Sequence, residues 1–292
     1  MPDSRTPYTF TKAETFPEVD FPLVVKQDPM RARRVPRHDH EFHEVVVVRQ
    51  GIGCYRFGTV ELSASKGDVF VISPGEVHEL ISQQDMSLAV FMFERQPLLD
   101  PQYGHVASFV ALFDVQPLLR PGPAHQRHLR LDDQALATVL ALHQDIDYDL
   151  SHRQPLYRQL ALARFHQVIA LCCRSYAETQ SSTNQVVPRL AAVISHLHAH
   201  VLEPLRLADL AAVAGCSVNQ LARLFQLAYH TSPMAYVLQR RLSLAAVQLR
   251  DTRHSITTVA LDCGFNDGNY FSKQFKQHYG CSPRQWRKQI DN

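Results

Sequence analysis

Nowhere in the 292 residues does an apolar run approach the ~18 residues a membrane-spanning helix needs. Met1 to Phe10 carries charge and proline where a secretory leader would have its apolar centre. Both absences lead to the expectation of a cytoplasmic protein with no membrane partner. The six cysteines, Cys54, Cys172, Cys173, Cys216, Cys263 and Cys281, include no CxxC pair. They are expected to be reduced, mostly buried thiols, so neither a disulfide framework nor the activated cysteine cluster of a thiol-dependent alkyl-transfer repair protein is expected. Glycine is scarce, at 11, and the 17 prolines follow no period, which excludes collagen-like and low-complexity classes. What is present is an ordinary globular balance, 45% hydrophobic and 20% charged, at about twice the length of a typical domain. Two domains are the first expectation.

The net charge of +2 hides a division. From Arg189 onward lie twelve of the 30 Lys and Arg but only six of the 28 Asp and Glu, a surplus of +6, leaving 18 against 22, or −4, before it. A basic carboxyl-terminal part behind an acidic amino-terminal part points to nucleic acid for the first and a different ligand for the second. A merely solvated basic surface accounts for the charge equally well, so the motifs must decide.

In the carboxyl-terminal part, Leu190, Val193, Ile194 and Leu197 recur at helical spacing and predict a helix ending before Pro204. Leu207 to Ala214, then Gly215-Cys216, then Ser217 to Gln226 read as helix, tight turn, helix. Gly215 suits the left-handed turn and Ser217 the cap. On the second helix Leu221, Leu224, Phe225 and Ala228 share the inner face, leaving Asn219, Gln220, Arg223 and Gln226 outside. Amides and guanidinium are the groups that pair with base edges in a major groove. The pattern recurs after a long periodic helix, Met234 to Arg250. Ser255-Ile256 starts a helix, Cys263-Gly264-Phe265 makes the turn, and Asp267 to Gln277 forms a last helix with Asn269, Lys273 and Lys276 outward. Leu207, Ala211, Leu221, Phe225, Ile256, Phe265, Phe271 and Phe275 are expected in the core, with Trp286 packing near the terminus.

These blocks, together with Gln239-Arg-Arg-Leu242, Tyr270 to Lys276 and Gly280 to Arg284, resemble the double helix-turn-helix domain of the AraC/XylS family of bacterial transcription regulators. The resemblance implies that Asn219 and Arg223 read bases in the first unit, and Asn269 with Lys273 in the second. Lys273 stands where an arginine is more usual. It also implies double-stranded promoter DNA and RNA polymerase as partners, and a homodimer.

The amino-terminal part has a loose, proline-punctuated start and then short alternating runs at Glu44 to Arg49, Cys54 to Phe57, Asp68 to Ser73 and Leu88 to Phe93, which read as strands of a small barrel or sandwich. Gln134 to Tyr148 and Pro155 to Tyr176 read as two closing helices, with Leu156, Leu160 and Ala163 left to pack on the barrel or on a second copy. His38-Asp-His40-Glu-Phe-His-Glu44 followed by Gly51, and Gly67 to His78, resemble the two cupin motifs, with Ser73 and Ser82 replacing the usual proline and asparagine. Alternation puts His38, His40, Phe42 and Glu44 on one side of a strand and His43 on the other. Arg31, Arg33, Arg34 and Arg37 form a charged arm suited to steering an anionic effector or simply to solvation.

The expected architecture is therefore α+β. A cupin-like effector domain with two helices (1–176), a linker (177–188) and an all-α double helix-turn-helix DNA-binding domain (189–292) follow one another. The expected function is transcription activation without catalysis, with His38, His40, Glu44 and His78 holding a small molecule. The resemblance within the family is to sugar-responsive activators, L-rhamnose foremost. The alternatives are a divalent metal on the same four residues, in a metal-dependent cupin enzyme or a metal-sensing regulator, and a barrel core whose histidines satisfy one another.

Overall fold

The structure is a computed structural model that describes residues 7–18, 20–28, 34–99, 103–119, 129–179, 186–251 and 254–288. Arg31 and Arg33 of the expected arm lie outside these residues, as do positions 180–185 of the expected linker. The chain divides into two compact units, Met1–Ala191 and Ala192–Asn292. No helix among the described residues is long and apolar enough to cross a membrane.

The first unit is built on one eight-stranded mixed sheet. Its strands are β1 (Tyr8–Phe10), β2 (Leu23–Asp28), β3 (Arg34–His40), β4 (His43–Phe57), β5 (Val60–Ser65), β6 (Asp68–Ile72), β7 (His78–Phe93) and β8 (Leu129–Arg130). The order is β1-β3-β7-β4-β6-β8, with β2 also on β7 and β5 also on β4. β4 and β7 pair antiparallel from His43↔Phe93 to Phe57↔His78, with three register shifts between Val48 and Gly53. Beyond those shifts each strand changes neighbours. β4 leaves β6 for β5, and β7 leaves β3 for β2. Such bulges bend a strand and deepen its twist, so the expected barrel takes the form of a strongly bent sheet around a filled interior.

Side-chain parity explains why Val45 to Val48 are all buried. Val46 and Val48 join Phe42, Tyr55, Phe57, Phe70, Leu80, Val90 and Met92 in the interior. Phe91 and Phe93 face the other way and meet α1 (Asp133–His152) and α2 (Tyr157–Thr179), with Phe93 4.9 Å from Phe165 and Phe91 5.0 Å from His143, centroid to centroid. Leu156 and Leu160 are exposed rather than packed on the sheet, at 69% and 45%.

Two expectations need correction. Residues 44–49 and 54–57 belong to one strand, because Gly51 and Gly53 mark a bend and not an end. The loose amino-terminal stretch contains β1, β2 and β3, so Arg34 lies in a strand and pairs with buried Glu79.

The boundary between the units falls within α3 (Val186–His200), which starts inside the expected linker, whose first residues, 177–179, end α2. Then come α4 (Leu207–Val213), α5 (Val218–Tyr229), α6 (Pro233–Asp251), α7 (Ile256–Asp262), α8 (Gly268–Tyr279) and α9 (Pro283–Lys288). Leu210, Ala211, Leu221 and Phe225 are buried in the first half. Ala245, Leu249, Val259, Phe265, Phe271 and Phe275 are buried in the second. Leu207 and Ile256 are only half-buried. Trp286 packs 4.7 Å from Tyr279 and donates to the Ala246 carbonyl at 3.4 Å, the structural role expected of it.

Gly53 sits in the bend, where β4 and β7 approach closely. A Cβ there would stand 2.3 Å from both the Ile81 carbonyl oxygen and the Met86 sulfur. Gly53→Ala is expected to cost about 1 to 3 kcal/mol of stability in urea titrations. Gly58→Ala, which meets no atom within 4 Å and bears only the strain of a φ of +58°, should cost less.

Candidate effector pocket and candidate nucleic-acid interface

Glu44 lies at the start of β4 and His78 at the start of β7, and the ladder pairs them thirteen residues apart, Glu44 with Met92 and His78 with Phe57. In a flat sheet that is roughly 40 Å. The bend closes it to 3.7 Å between His78 Nε2 and Glu44 Oε2. His40 Nε2 lies 3.4 Å from the same oxygen, and the His38 and His78 rings are 4.2 Å apart. All four expected residues therefore meet. They do so differently from expectation, because β3 ends at His40 and β4 begins at His43, with a turn at Glu41 and Phe42 between them. His43 points to the opposite face, as expected, where it stacks on Phe93.

Each histidine is held by the main chain. Nδ1 lies 2.8 Å from the Pro36 carbonyl in His38, 2.6 Å from the Phe42 carbonyl in His40 and 2.8 Å from the Glu76 carbonyl in His78. A carbonyl only accepts, so Nδ1 carries the proton and Nε2 is left to face the pocket. The walls around the polar quartet are aromatic. Phe42 stacks on His40 at 4.7 Å, Phe10 of β1 meets His38 edge-on at 5.2 Å, and Tyr55 and Phe57 flank His78 at 6.2 and 6.0 Å. The sequence reading missed Phe10, although the β-forming triplet Tyr8-Thr9-Phe10 was a signal for an edge strand.

Burial acts to lower the pKa of His40, but the adjacent Glu44 carboxylate outweighs it and raises the value. Burial works to raise Glu44, and the surrounding histidines overcome it and hold the carboxyl below its ordinary range. For His78 burial wins and drives the ring down to about 4. The cluster thus pairs an anionic carboxylate with one imidazole that favours its proton and one that stays neutral.

In the second unit both turns form as expected. Gly215 has φ +58° and Gly264 φ +79°. Ser217 caps α5, and Asp267 caps α8 by accepting from Asn269 N–H at 2.7 Å. Asn219, Arg223 and Gln226 form an exposed row on α5, matched fifty positions later by Asn269, Lys273 and Lys276 on α8. Gln220 is exposed too, but its amide oxygen accepts from Ser217 N–H at 2.9 Å to complete a capping box, so that oxygen is engaged away from any base. The Ser-x-x-Gln pattern carried that signal in the sequence.

Comparison with known proteins agrees with both halves. The family model for an AraC-like ligand binding domain matches residues 24–169, and that for a helix-turn-helix domain matches residues 210–289. The chain is similar to the HTH-type transcriptional activator RhaR of Mannheimia succiniciproducens, 23% identical over 255 residues, covering 87% of this chain and 88% of that protein. It is also similar to RhaR of Escherichia coli, 27% identical over 253 residues and 86% of each chain. Among solved structures it is similar to an AraC-type transcriptional regulator from Chromobacterium violaceum, 38% identical over 35% of this chain and 92% of that one, with a TM-score of 0.34.

A pH dependence follows from His78. Above about pH 6.5 its ring is neutral whether the chain is folded or unfolded. As pH falls toward 4, the unfolded chain takes up a proton that the folded chain refuses, so stability is lost. Urea titrations between pH 7 and pH 4 should show His78→Asn losing less stability than the unaltered chain, by on the order of 3 kcal/mol.

Proposed function

The chain belongs to the AraC family, as a transcription activator with a ligand-binding domain and a helix-turn-helix DNA-binding domain, and on that premise we propose that a sugar-class effector switches it. The observation that carries this reading is the convergence of His38, His40, Glu44 and His78 inside an otherwise apolar, aromatic-walled interior. Imidazole and carboxylate groups supply directional hydrogen bonds to hydroxyls, and the rings beside them cover the apolar faces of a small polyhydroxylated molecule. L-Rhamnose is the first candidate, from the sequence resemblance.

Promoter DNA is read by Asn219, Arg223 and Gln226 in one groove and by Asn269, Lys273 and Lys276 in the next, with Gln220 serving the cap. Two chains pair through the exposed Leu156, Leu160 and Ala163 surface, and the DNA-bound dimer recruits RNA polymerase. An effector acts only by binding two conformations of the protein unequally.

Thermal denaturation against a panel of monosaccharides that includes L-rhamnose tests the pocket. A true effector at ~100 times its dissociation constant should stabilise by ~2.7 kcal/mol. His40→Ala with His78→Ala should abolish that shift and leave DNA affinity unchanged. Arg223→Ala should cost ~1 to 3 kcal/mol at one base pair and relax specificity there, whereas an even loss on all sequences would reduce Arg223 to a phosphate contact.

A second reading has an observation of its own. Among the described residues His40 Nε2 is buried with only the long 3.4 Å contact to Glu44 Oε2, while His40, Glu44 and His78 present ligand atoms within 4.8 Å of one another. Imidazoles anchored through Nδ1 are the arrangement that orients Nε2 toward a metal. These residues fit a divalent cation, with His38 alongside, and such an ion would offer open coordination positions to effector oxygens. Elemental analysis of the purified protein decides it. Stoichiometric metal that is lost in Glu44→Gln supports this reading, and a sugar response that survives chelation removes it.

A further inference from the structure

We propose that Arg241 is the positioning residue that sets the distance between the two reading helices, and with it the operator spacing that one chain accepts. The inference rests on the reading that both helix-turn-helix units contact one duplex.

Arg241 projects from α6, the helix that joins the two units, and its guanidinium is used up on main-chain carbonyls. Nε donates to Val201 at 2.7 Å, Nη2 to Glu203 at 2.6 Å and Nη1 to Gly264 at 2.8 Å. Two of these acceptors follow the end of α3, before the first unit, and the third is the turn glycine of the second. One planar fork therefore ties three parts of the domain that are distant in sequence. Carbonyls just past a helix end carry partial negative charge and need donors, so they suit a cation.

The close approach depends on the glycine. A Cβ on Gly264 would stand 2.8 Å from the Leu202 carbonyl oxygen and 3.0 Å from Arg241 Nε. The turn glycine of the first unit, Gly215, meets nothing within 4 Å. The second turn is thus docked on this knot and the first is open, although both have the same backbone hand. Each reading helix has its own buried anchors, Leu221 and Phe225 in α5, Phe271 and Phe275 in α8. Releasing the fork leaves both helices formed and frees their relative placement.

Lysine is not an equivalent, because a compact ammonium cannot span three carbonyls that a planar fork reaches at once. Arg241→Lys keeps the charge and most of the length, and Gly264→Ala attacks the same contact from its other side without altering any charge.

The test uses the full chain and two-box duplexes selected from a randomised library by the unaltered protein, with the boxes then moved apart by one and two base pairs. The unaltered chain should lose at least tenfold in affinity for one inserted base pair. In Arg241→Lys and Gly264→Ala, affinity at the selected spacing should fall about tenfold and the penalty for insertion should shrink to within about threefold. The dependence of affinity on salt should stay as it was. Proportional weakening at every spacing would overturn the proposal, since loss of folded protein alone does that. So would a salt slope smaller by ~1, the mark of a lost phosphate contact. If the unaltered protein selects only single boxes, the underlying two-unit reading fails instead.

Discussion

The pairing of β4 with β7 is the constraint on which the ligand-binding half depends. Glu44 and His78 occupy opposite ends of that ladder, so they meet only because both strands bend together between Val48 and Gly53. The bend in turn requires main chain to pass where no side chain fits, which is why glycine stands at 51 and 53. Interior packing follows from the same geometry. Even positions of β7, and in β4 the even positions before the bend and the odd ones after it, line the inside with aliphatic and aromatic groups, while Phe91 and Phe93 lie on the covering helices. The enclosure of His40, Glu44 and His78, and so their altered proton affinities, is a product of that closure.

The DNA-binding half depends on shorter-range rules. Caps, turn glycines and helical periodicity are encoded within a few residues, and there the sequence and the structure agree closely: Ser217, Ser255 and Asp267 cap, and Gly215 and Gly264 turn. Long-range order was less legible. Gly51 and Gly53 look like strand ends in a linear reading, and only the cross-strand neighbours show that they are a bend. Polar residues from Ser82 to Asp85 hid the first half of β7. His38, His40 and Glu44 were found because their spacing is itself a motif, yet the reason they meet is a turn between strands and not alternation along one. Gln220 was assigned outward by periodicity, and its engagement with Ser217 came from a competing local rule.

The two units also handle charge differently. In the first, His40, Glu44 and His78 are gathered inward, where burial and one another's charges shift their hold on a proton. In the second, Arg223, Lys273 and Lys276 stand exposed to solvent, while Arg241 gives its guanidinium hydrogen bonds to backbone carbonyls. An arginine can serve recognition or architecture, and its hydrogen-bond partners tell which.

The main-chain anchoring of the three histidines has a consequence for how such a pocket diverges. Their tethers are the carbonyls of Pro36, Phe42 and Glu76, atoms that persist whatever side chain those positions carry. Phe42 illustrates this, since its backbone orients His40 while its ring forms part of the wall. Shape and polarity are thereby separable: substitutions at Phe10, Phe42, Tyr55 and Phe57 alter the aromatic surroundings while the aim of the imidazoles is preserved.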